Sequence, residues 1–255
     1  MNHDAIRLVF CLLGCSLWGV GALADTMGPV TVHYYERRPF QYTAEDGSPA
    51  GLVIAPTRKA FEVAGVPVVW KLTPVNRIMA TLKDNRGADC SAGWFRSPER
   101  QAFSHFTMPI YRDLPMAGLV TADFPLQGSA SARELLAESK TKLILKQGLV
   151  YGEYLDPLIG GMPAPQKMSV TDEAPSMVRM LRAGVGNIFI TTQEEANLYI
   201  AQTEPQQREI RLLKFTDVPA VDKRHIMCSH QVPQAVIDKL NIAIKAMPIA
   251  PPGAH

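Results

Sequence analysis

The sequence lacks an excess of either charge, a long apolar run within its body and a nucleotide-binding glycine motif. Lys and Arg number 26 and Asp and Glu number 24, so the formal net charge is +2 over 255 residues. Such a balanced surface does not indicate a nucleic-acid partner. Beyond the N-terminal region no segment is long and apolar enough to span a bilayer, and no phosphate-binding or dinucleotide-binding glycine pattern occurs. These classes of function are therefore not expected.

The N-terminus has the features of a secretory signal peptide. Arg7 precedes a nearly continuous apolar or small stretch over residues 8–20, and Ala22-Leu23-Ala24 is a small-residue cleavage pattern. The stretch is shorter than the roughly 20 apolar residues of a spanning helix, and Cys15 gives only a faint lipoprotein pattern. We therefore predict cleavage after Ala24, with residues 1–24 as the signal peptide of a soluble periplasmic protein.

Cleavage there would leave two of the four cysteines, Cys90 and Cys228. Cys90 lies in the segment ADCSAGWFRSPER (88–100), where it could be a catalytic thiol, a metal ligand, half of a disulfide or part of a core strand. In an oxidising compartment, two remaining cysteines are more often bridged than free. His225, Cys228 and His230 could bind zinc, but residues 225 and 228 would point to opposite faces of a strand. No metal site is predicted.

Strand and helix patterns alternate along the rest of the chain. Residues 30–35 and 88–94 are typical of strands, and residues 73–87 and 232–247 are typical of amphipathic helices. Thr73 is expected to cap the first of these helices. The alternation predicts an α/β protein with mostly parallel sheets.

The order of several motifs resembles the bacterial periplasmic solute-binding proteins of family 3, which include the polar amino acid receptors of ABC importers. The motifs are RRPFQYTAEDGSPAGL (37–52), RIMATLKDNRGADC (77–90) and RSPERQAFSHFTMPIY (96–111), followed by LKQGLVYG, MLRAGVGN and LNIAIKAM. Together they cover essentially all of the mature chain.

This resemblance implies a periplasmic binding protein type II fold, in which two α/β lobes are joined by two hinge strands and hold a ligand between them. It places residues 25–115 and 220–255 in lobe 1 and residues 116–219 in lobe 2. The ligand would stabilise a closed state by contacts to both lobes. The implied partners are a small-molecule ligand and an ABC permease in the inner membrane. The receptor would be a monomer without a cofactor or a catalytic residue.

The resemblance also selects site residues. Arg100 matches the family arginine that binds a ligand carboxylate through two parallel hydrogen bonds, although an arginine in a loop exposed to solvent is the alternative. Trp94 and Phe95 follow the end of the preceding strand and would line the cleft, if they are not core aromatics. Tyr35 and Tyr151 are further aromatic candidates for the same cleft.

Other positions depart from the family pattern. Arg37 stands where an aromatic residue is common, and Gly148 is followed by Leu149 and Val150 instead of hydroxyl side chains. The family aspartate that takes a ligand ammonium would fall near Thr192, which carries no charge. We expect Arg37, Gly148 and Thr192 to line a site for a more anionic or larger ligand than a simple α-amino acid.

Two further classes of function stay open. An enzyme on the same fold, similar to the periplasmic dehydratases, would need an acid or base in the cleft, and Glu194, Glu195 and His33 are the candidates. Either glutamate could replace the missing charge at Thr192 only if the helix started elsewhere. A ligand-sensing protein with a membrane signalling partner is the other class.

The resemblance also gives Cys90 a neighbour. The strand RHIMCS (224–229) would insert beside the strand that contains Cys90, and we predict a disulfide between Cys90 and Cys228. Such a bridge needs Cα atoms within about 7 Å. By the chain-entropy model, closing a loop of more than a hundred residues contributes roughly 4 to 5 kcal/mol.

Overall fold

A computed structural model describes residues 28–147, 150–171, 174–220 and 222–247. The predicted signal peptide and Gly148 lie outside these residues. The strands are β1 (Val30–Tyr34), β2 (Tyr42–Thr43), β3 (Pro49–Ala50), β4 (Val68–Leu72), β5 (Asp89–Phe95), β6 (Ser104–Arg112), β7 (Met116–Thr121), β8 (Ser129–Ala130), β9 (Leu143–Lys146), β10 (Lys167–Val170), β11 (Ile188–Thr192), β12 (Ile210–Phe215) and β13 (Lys223–Ser229).

The helices alternate with these strands, as the sequence pattern predicts. They are α1 (Ile54–Val63), α2 (Val75–Asp84), α3 (Pro98–Gln101), α4 (Ala132–Ala137), α5 (Leu155–Gly161), α6 (Ala174–Arg182), α7 (Gln193–Ala201) and α8 (Gln234–Ala246), with a 3₁₀ turn at Ala164–Gln166. None of the helices in the described ranges is long and apolar enough to cross a membrane.

One sheet has the strand order β4-β1-β5-β13-β6, and we call the part built on it lobe 1. Helices α1 and α8 cover one face through residues such as Ile54 and Leu240, and α2 covers the other through Ile78 and Leu82. Burial of these side chains, each worth about 1.5–3 kcal/mol, stabilises the lobe.

The second sheet has the order β10-β9-β11-β7-β12-β8 and forms lobe 2. Leu135 of α4 and Leu155 of α5 are buried on one face, whereas Met177 and Leu181 of α6 are buried on the other. Each lobe therefore has helices on both faces of its sheet, as expected for a sheet whose strands mostly run in one direction.

One strand in each sheet runs against the others: β13 is antiparallel to β5 and β6, and β7 is antiparallel to β11 and β12. Both reversed strands begin where the chain has just crossed from the other lobe, at residues 113–115 and 216–222. The crossings therefore meet the edge to which most other strands point their carboxyl ends. In α/β proteins that edge is where ligands bind.

The start of α2 differs from the prediction. Pro74, rather than Thr73, precedes the first helical residue, and no side chain caps it. The Thr73 hydroxyl instead bonds the ring of His33 (2.9 Å), which β1 brings alongside. The helix ends at Asn85, which has a left-handed backbone conformation, as is common at helix C-termini.

The predicted Cys90–Cys228 disulfide is present in the structure. The two residues lie opposite each other on β5 and β13, with Sγ atoms 2.03 Å apart and Cα atoms 4.0 Å apart. Both side chains are fully buried in the core of lobe 1. Because 138 residues separate them, the bridge joins two parts of lobe 1 between which the chain passes through lobe 2.

Candidate functional site

A tight turn after β1 carries Arg37 to the edge of lobe 1. Two backbone hydrogen bonds between Arg37 and Gln41, of 2.7 and 2.9 Å, close the turn. The next connection packs directly on it, since a Cβ atom on Gly51 would lie only 2.4 Å from the Phe40 carbonyl oxygen. Glycine is therefore needed at position 51 for this close approach, and Arg37 projects from a rigid turn.

Arg37 forms an ion pair with Glu195, which belongs to lobe 2. The Arg37 Nε donates to Glu195 Oε1 over 2.9 Å, and the two side chains are 29% and 10% exposed. The contact joins residues 158 positions apart. At this point the cleft is bridged by two charged side chains of the chain itself.

The start of α7 explains how Glu195 reaches this position. Thr192 is the N-cap, and its Oγ1 accepts a hydrogen bond from the Glu195 backbone N–H, the T-x-x-E arrangement of a capping box. The Glu195 Oε2 in turn accepts from the hydroxyls of Thr191 (2.7 Å) and Thr192 (3.2 Å). A carboxylate therefore lies at Thr192 without any change in the helix start, contrary to the expectation from the sequence.

The environment of this pair holds both groups ionised. Burial, the largest single cause, would lower the pKa of Arg37, but the charges and hydrogen bonds of Glu195 and Tyr35 together outweigh it, and the Arg37 pKa is raised. Burial alone would raise the pKa of Glu195, but Arg37 and the hydroxyls of Thr191 and Thr192 lower it. The pair is thus a salt bridge rather than a neutral hydrogen bond.

Glu194, the preceding residue, makes a second contact between the lobes. Its Oε1 accepts from the Tyr111 hydroxyl (2.9 Å) and from the Leu114 backbone N–H (2.7 Å), at the first crossing. Burial raises the pKa of Glu194 above its ordinary value. Its Oε2 is buried and has no hydrogen-bond partner among the described residues.

A bulge in β5 places Trp94 on the opposite face of the sheet from Cys90. Ser91 pairs with Met227 and Trp94 with His225, so two residues of β5 lie opposite one of β13. Gly93, with φ of +81°, absorbs the extra residue. Trp94 consequently packs on the α2 face of the sheet, away from the face that holds Cys90.

Arg100 lies beside this bulged strand end. Its Nη1 donates to the Phe95 carbonyl oxygen over 2.8 Å, and its guanidinium carbon lies 5.1 Å from the centre of the Trp94 ring. No carboxylate of the described residues forms an ion pair with it, and burial lowers its pKa. Arg100 is therefore a partly desolvated cation that has no ion-pair partner among these residues, although the charge of Glu99, which is 82% exposed, partly offsets the effect of burial on its pKa.

Tyr35 connects the two arginines. Its ring lies 6.4 Å from that of Trp94, and its phenol contributes to the pKa of both Arg37 and Arg100. The structure thus places Tyr35, Arg37, Trp94 and Arg100 in one connected group on lobe 1, and Arg37 continues that group to lobe 2. That these residues bind a ligand stays a prediction.

The other expected site residues, Phe95 and Tyr151, have partners within their own lobes. The Phe95 ring packs on the buried guanidinium of Arg224 (4.4 Å). The Tyr151 hydroxyl accepts from the Lys146 backbone N–H (2.9 Å) in lobe 2, and burial raises its pKa, to which the charge of Glu195 contributes. That Phe95 and Tyr151 bind a ligand stays a prediction.

A buried ion pair between Arg224 and Asp113, which the sequence does not reveal, joins the two crossings within lobe 1. Arg224 binds both carboxylate oxygens of Asp113 at 2.5 Å, donates to the Gly93 carbonyl (2.8 Å), and lies between the rings of Phe40 and Phe95. A planar guanidinium suits such a fork. Only the presence of charged residues at strand ends could have hinted at it.

His33, an acid–base candidate from the sequence, is not at the cleft group. It is buried between Thr73 (2.9 Å) and Asp89 (2.8 Å) within lobe 1. This chain of hydrogen bonds satisfies the ring nitrogens of a core histidine.

A cavity of about 490 Å³ opens on lobe 1 beside the second crossing. It is lined by Arg96, Ser97, Pro98, Gln101, Arg112, Ala220, Asp222, Lys223 and His225. It includes none of Arg37, Arg100 and Glu195, so it is separate from the cleft group. The residues described contain no cluster of three or more side chains suited to bind a metal ion.

Comparison with known proteins identifies the relatives of this chain. The sequence profile of the bacterial extracellular solute-binding proteins, family 3, matches residues 30–248. No curated protein sequence matches significantly.

Solved structures share the fold at low sequence identity. An ancestral arginine-binding protein bound to arginine has a TM-score of 0.65 at 18% identity, over 87% of this chain and 93% of the other. The arginine-, lysine-, histidine-binding protein ArtJ from Geobacillus stearothermophilus has 0.63 at 17%, over 85% and 88%. A histidine kinase sensor domain with similarity to periplasmic binding proteins has 0.65 at 20%, over 87% and 90%. The two-lobed type II fold is thereby confirmed.

Proposed function

The chain belongs to the bacterial extracellular solute-binding proteins, family 3, and from this membership we propose that it captures a small polar or anionic solute between its lobes. The solute is amino-acid-like or a carboxylate, and it is delivered to an ABC permease of the inner membrane. The protein performs no chemical step. It acts as a monomer that closes around its ligand through the two crossings.

The observation that carries the proposal is the state of Arg100. It is half-buried over Trp94, its guanidinium donates to a neutral carbonyl, and it forms no ion pair with a carboxylate of the described residues, although the charge of the exposed Glu99 acts on it. A guanidinium deprived of water without a counter-ion is costly unless an anion binds it. A ligand carboxylate would fill that role with two parallel hydrogen bonds.

Hinge closure is supported by the contacts across the cleft. Glu194 and Glu195 of lobe 2 reach Tyr111 and Arg37 of lobe 1, so the lobes already meet where both crossings lie. For the lobe boundaries we retain residues 25–115 and 220–255 for lobe 1 and residues 116–219 for lobe 2. Ligand contacts to both lobes would favour the closed state.

Export to the periplasm is supported by the N-terminal sequence and by the disulfide. The basic and apolar stretch ending at Ala24 has the form of a cleaved signal peptide. The buried Cys90–Cys228 bridge suits an oxidising compartment.

A second candidate function, sensing for a membrane signalling partner, is supported by the likeness in fold to a histidine kinase sensor domain. Capture by Arg100 would be common to both functions. A permease gene or a kinase gene beside this one would separate them.

The test is ligand binding to residues 25–255 by thermal shift and calorimetry, with amino acids, carboxylates and oligopeptides as probes. We expect one probe class to stabilise the protein, and Arg100→Gln to weaken its binding roughly ten- to a hundredfold. Arg96→Gln, which removes an exposed arginine four residues away, is the control and should leave affinity unchanged. Equal affinity in Arg100→Gln, or no response to any probe, would refute the proposal.

A further inference from the structure

The Glu195 carboxylate is already fully engaged by donors of the chain itself. Oε1 accepts from Arg37, and Oε2 accepts from Thr191 and Thr192. With a side chain only 10% exposed, it offers little room for a further donor. The position at which a ligand ammonium would find a negative charge is therefore occupied by an arginine side chain.

The neighbouring carboxyl groups offer no replacement. Glu194 Oε1 is taken by Tyr111 and Leu114, and its Oε2 is inaccessible. Asp113 is held by both nitrogens of the Arg224 fork. Each acid that the described residues bring to this edge from α7 and the first crossing is thus either paired or buried.

The cations of the cleft group, in contrast, keep binding capacity. A guanidinium has five N–H donors, and Arg37 gives one of them, on Nε, to Glu195 and makes a further hydrogen bond to Tyr35, which still leaves more than one donor. Arg100 gives one to a neutral carbonyl. Glu99 also acts on the Arg100 pKa, but its side chain is 82% exposed and lies 3.7 Å from Lys83. Within the cleft group itself, two arginines face one ionised glutamate, and this excess of positive charge attracts an anion and repels an ammonium.

We propose that the ligand of this cleft is a small carboxylate that carries no ammonium group, because Arg37 of the chain itself takes the place of the ligand's cation at Glu195. This inference rests on the proposed function and narrows its solute class. Arg37 and Arg100 bind the carboxylate groups, and Tyr35 between them donates its hydroxyl.

Amino acids and carboxylates without an amino group differ in which existing contacts they must break in order to bind. For an amino acid to bind Glu195, its ammonium must displace Arg37, which leaves a largely buried guanidinium without its partner. Breaking a buried ion pair in this way leaves an uncompensated charge and is unfavourable. A carboxylate without an amino group binds the free N–H donors and breaks no existing contact.

The experiment compares matched probes on residues 25–255: succinate with L-aspartate, glutarate with L-glutamate, and other two- to six-carbon carboxylates with their 2-amino analogues. We expect binding to the member without the amino group to be tighter by at least roughly tenfold. Equal or tighter binding of an amino acid would overturn this inference and leave the proposed function intact. Absence of binding to every probe would overturn both.

Two variants test the role of Arg37 directly. Arg37→Met frees Glu195 and should gain binding of the 2-amino analogues, whereas Arg38→Met, a change at the exposed neighbouring arginine, should behave like wild type. If Arg37→Met does not fold, Glu195→Gln is the second variant. It removes the negative charge that Arg37 neutralises, and it should retain or strengthen binding of the probes without an amino group. No gain in Arg37→Met, or loss of carboxylate binding in Glu195→Gln, would contradict the inference.

Discussion

Glu194 and Glu195 are adjacent residues with contrasting environments. Glu195 faces Arg37 and two hydroxyls, and these lower its pKa although burial alone would raise it. Glu194 has hydrogen bonds from Tyr111 and Leu114 but no cation, and burial raises its pKa. Burial therefore disfavours ionisation of Glu194, although the hydrogen bonds from Tyr111 and Leu114 favour it, whereas ionisation of Glu195 is favoured by its partners.

Glu194 should make the stability of the protein pH-dependent. Its pKa in the folded state lies above the unfolded value of about 4.3. Stability from this group is therefore fully present below that pH and is lost as the pH rises through the folded pKa. Since Gln does not ionise, the free energy of unfolding of Glu194→Gln should rise relative to wild type as the pH is increased from about 4.

Urea unfolding of both proteins over a series of increasing pH values measures the difference. Glu153→Gln, at an exposed glutamate of lobe 2, is the control and should show a difference that does not change with pH. A constant or falling difference for Glu194→Gln would contradict the account of its environment.

The sequence was informative about some of these residues and silent about others. Arg100 was selected through the resemblance of RSPERQAFSHFTMPIY (96–111) to the family pattern, and its role in binding stays a prediction. The T-x-x-E pattern at Thr192 is a readable helix start. The Arg37–Glu195 pair could not be predicted, because its members are 158 residues apart and meet only through the arrangement of the lobes. The burial of Arg224 against Asp113 depends on tertiary structure in the same way.

At the level of elements, β5 shows where pattern reasoning ends. Its apolar composition predicts a strand, and a strand forms over Asp89–Phe95. Regular alternation would place Trp94 on the same face as Cys90. The bulge at Gly93 reverses this and places Trp94 beside Arg100. A glycine inside a strand was the one sequence signal for it.

The pairing of β5 with β13 supports a prediction about the disulfide. Because the bridge encloses 138 positions, replacing both cysteines by alanine should lower the free energy of unfolding by about 5 kcal/mol in the chain-entropy model. Urea unfolding of oxidised wild type and the double variant, Cys90→Ala with Cys228→Ala, measures this. Ellman titration of denatured, unreduced residues 25–255 should find no free thiol. Two free thiols, or equal unfolding free energies, would rule out the bridge.

At the level of the whole molecule, each lobe anchors the crossings separately. In lobe 1 the Arg224–Asp113 pair joins them. In lobe 2 the anchor is Asp217, which lies near the start of the second crossing. It accepts hydrogen bonds from the hydroxyls of Ser131 and Tyr154 and from two backbone N–H groups at the start of α4. Buried and capping contacts of this kind resist deformation, so we expect motion to be concentrated between the anchors.

The order of motifs along the chain was enough to predict two lobes, but not how they meet. Helix and strand patterns arise from local burial and reach only a few residues along the sequence. The contacts of α7 with Arg37 and Tyr111 depend on the relative position of two separately folded sheets. Ligand class is decided at this level, by which charges the lobes leave unpaired.

The central claim, that the lobes hold a small carboxylate at Arg100, is tested most directly by mass spectrometry of what the exported protein carries. Wild type and Arg100→Gln are purified from the periplasm with no ligand added during purification. Both proteins are then denatured, and the small molecules that they release are identified. We expect wild type to release one small carboxylate without an amino group, and we expect the variant to release none of this compound. Release of the same compound in equal amount from both proteins, or of nothing from either, would contradict the claim.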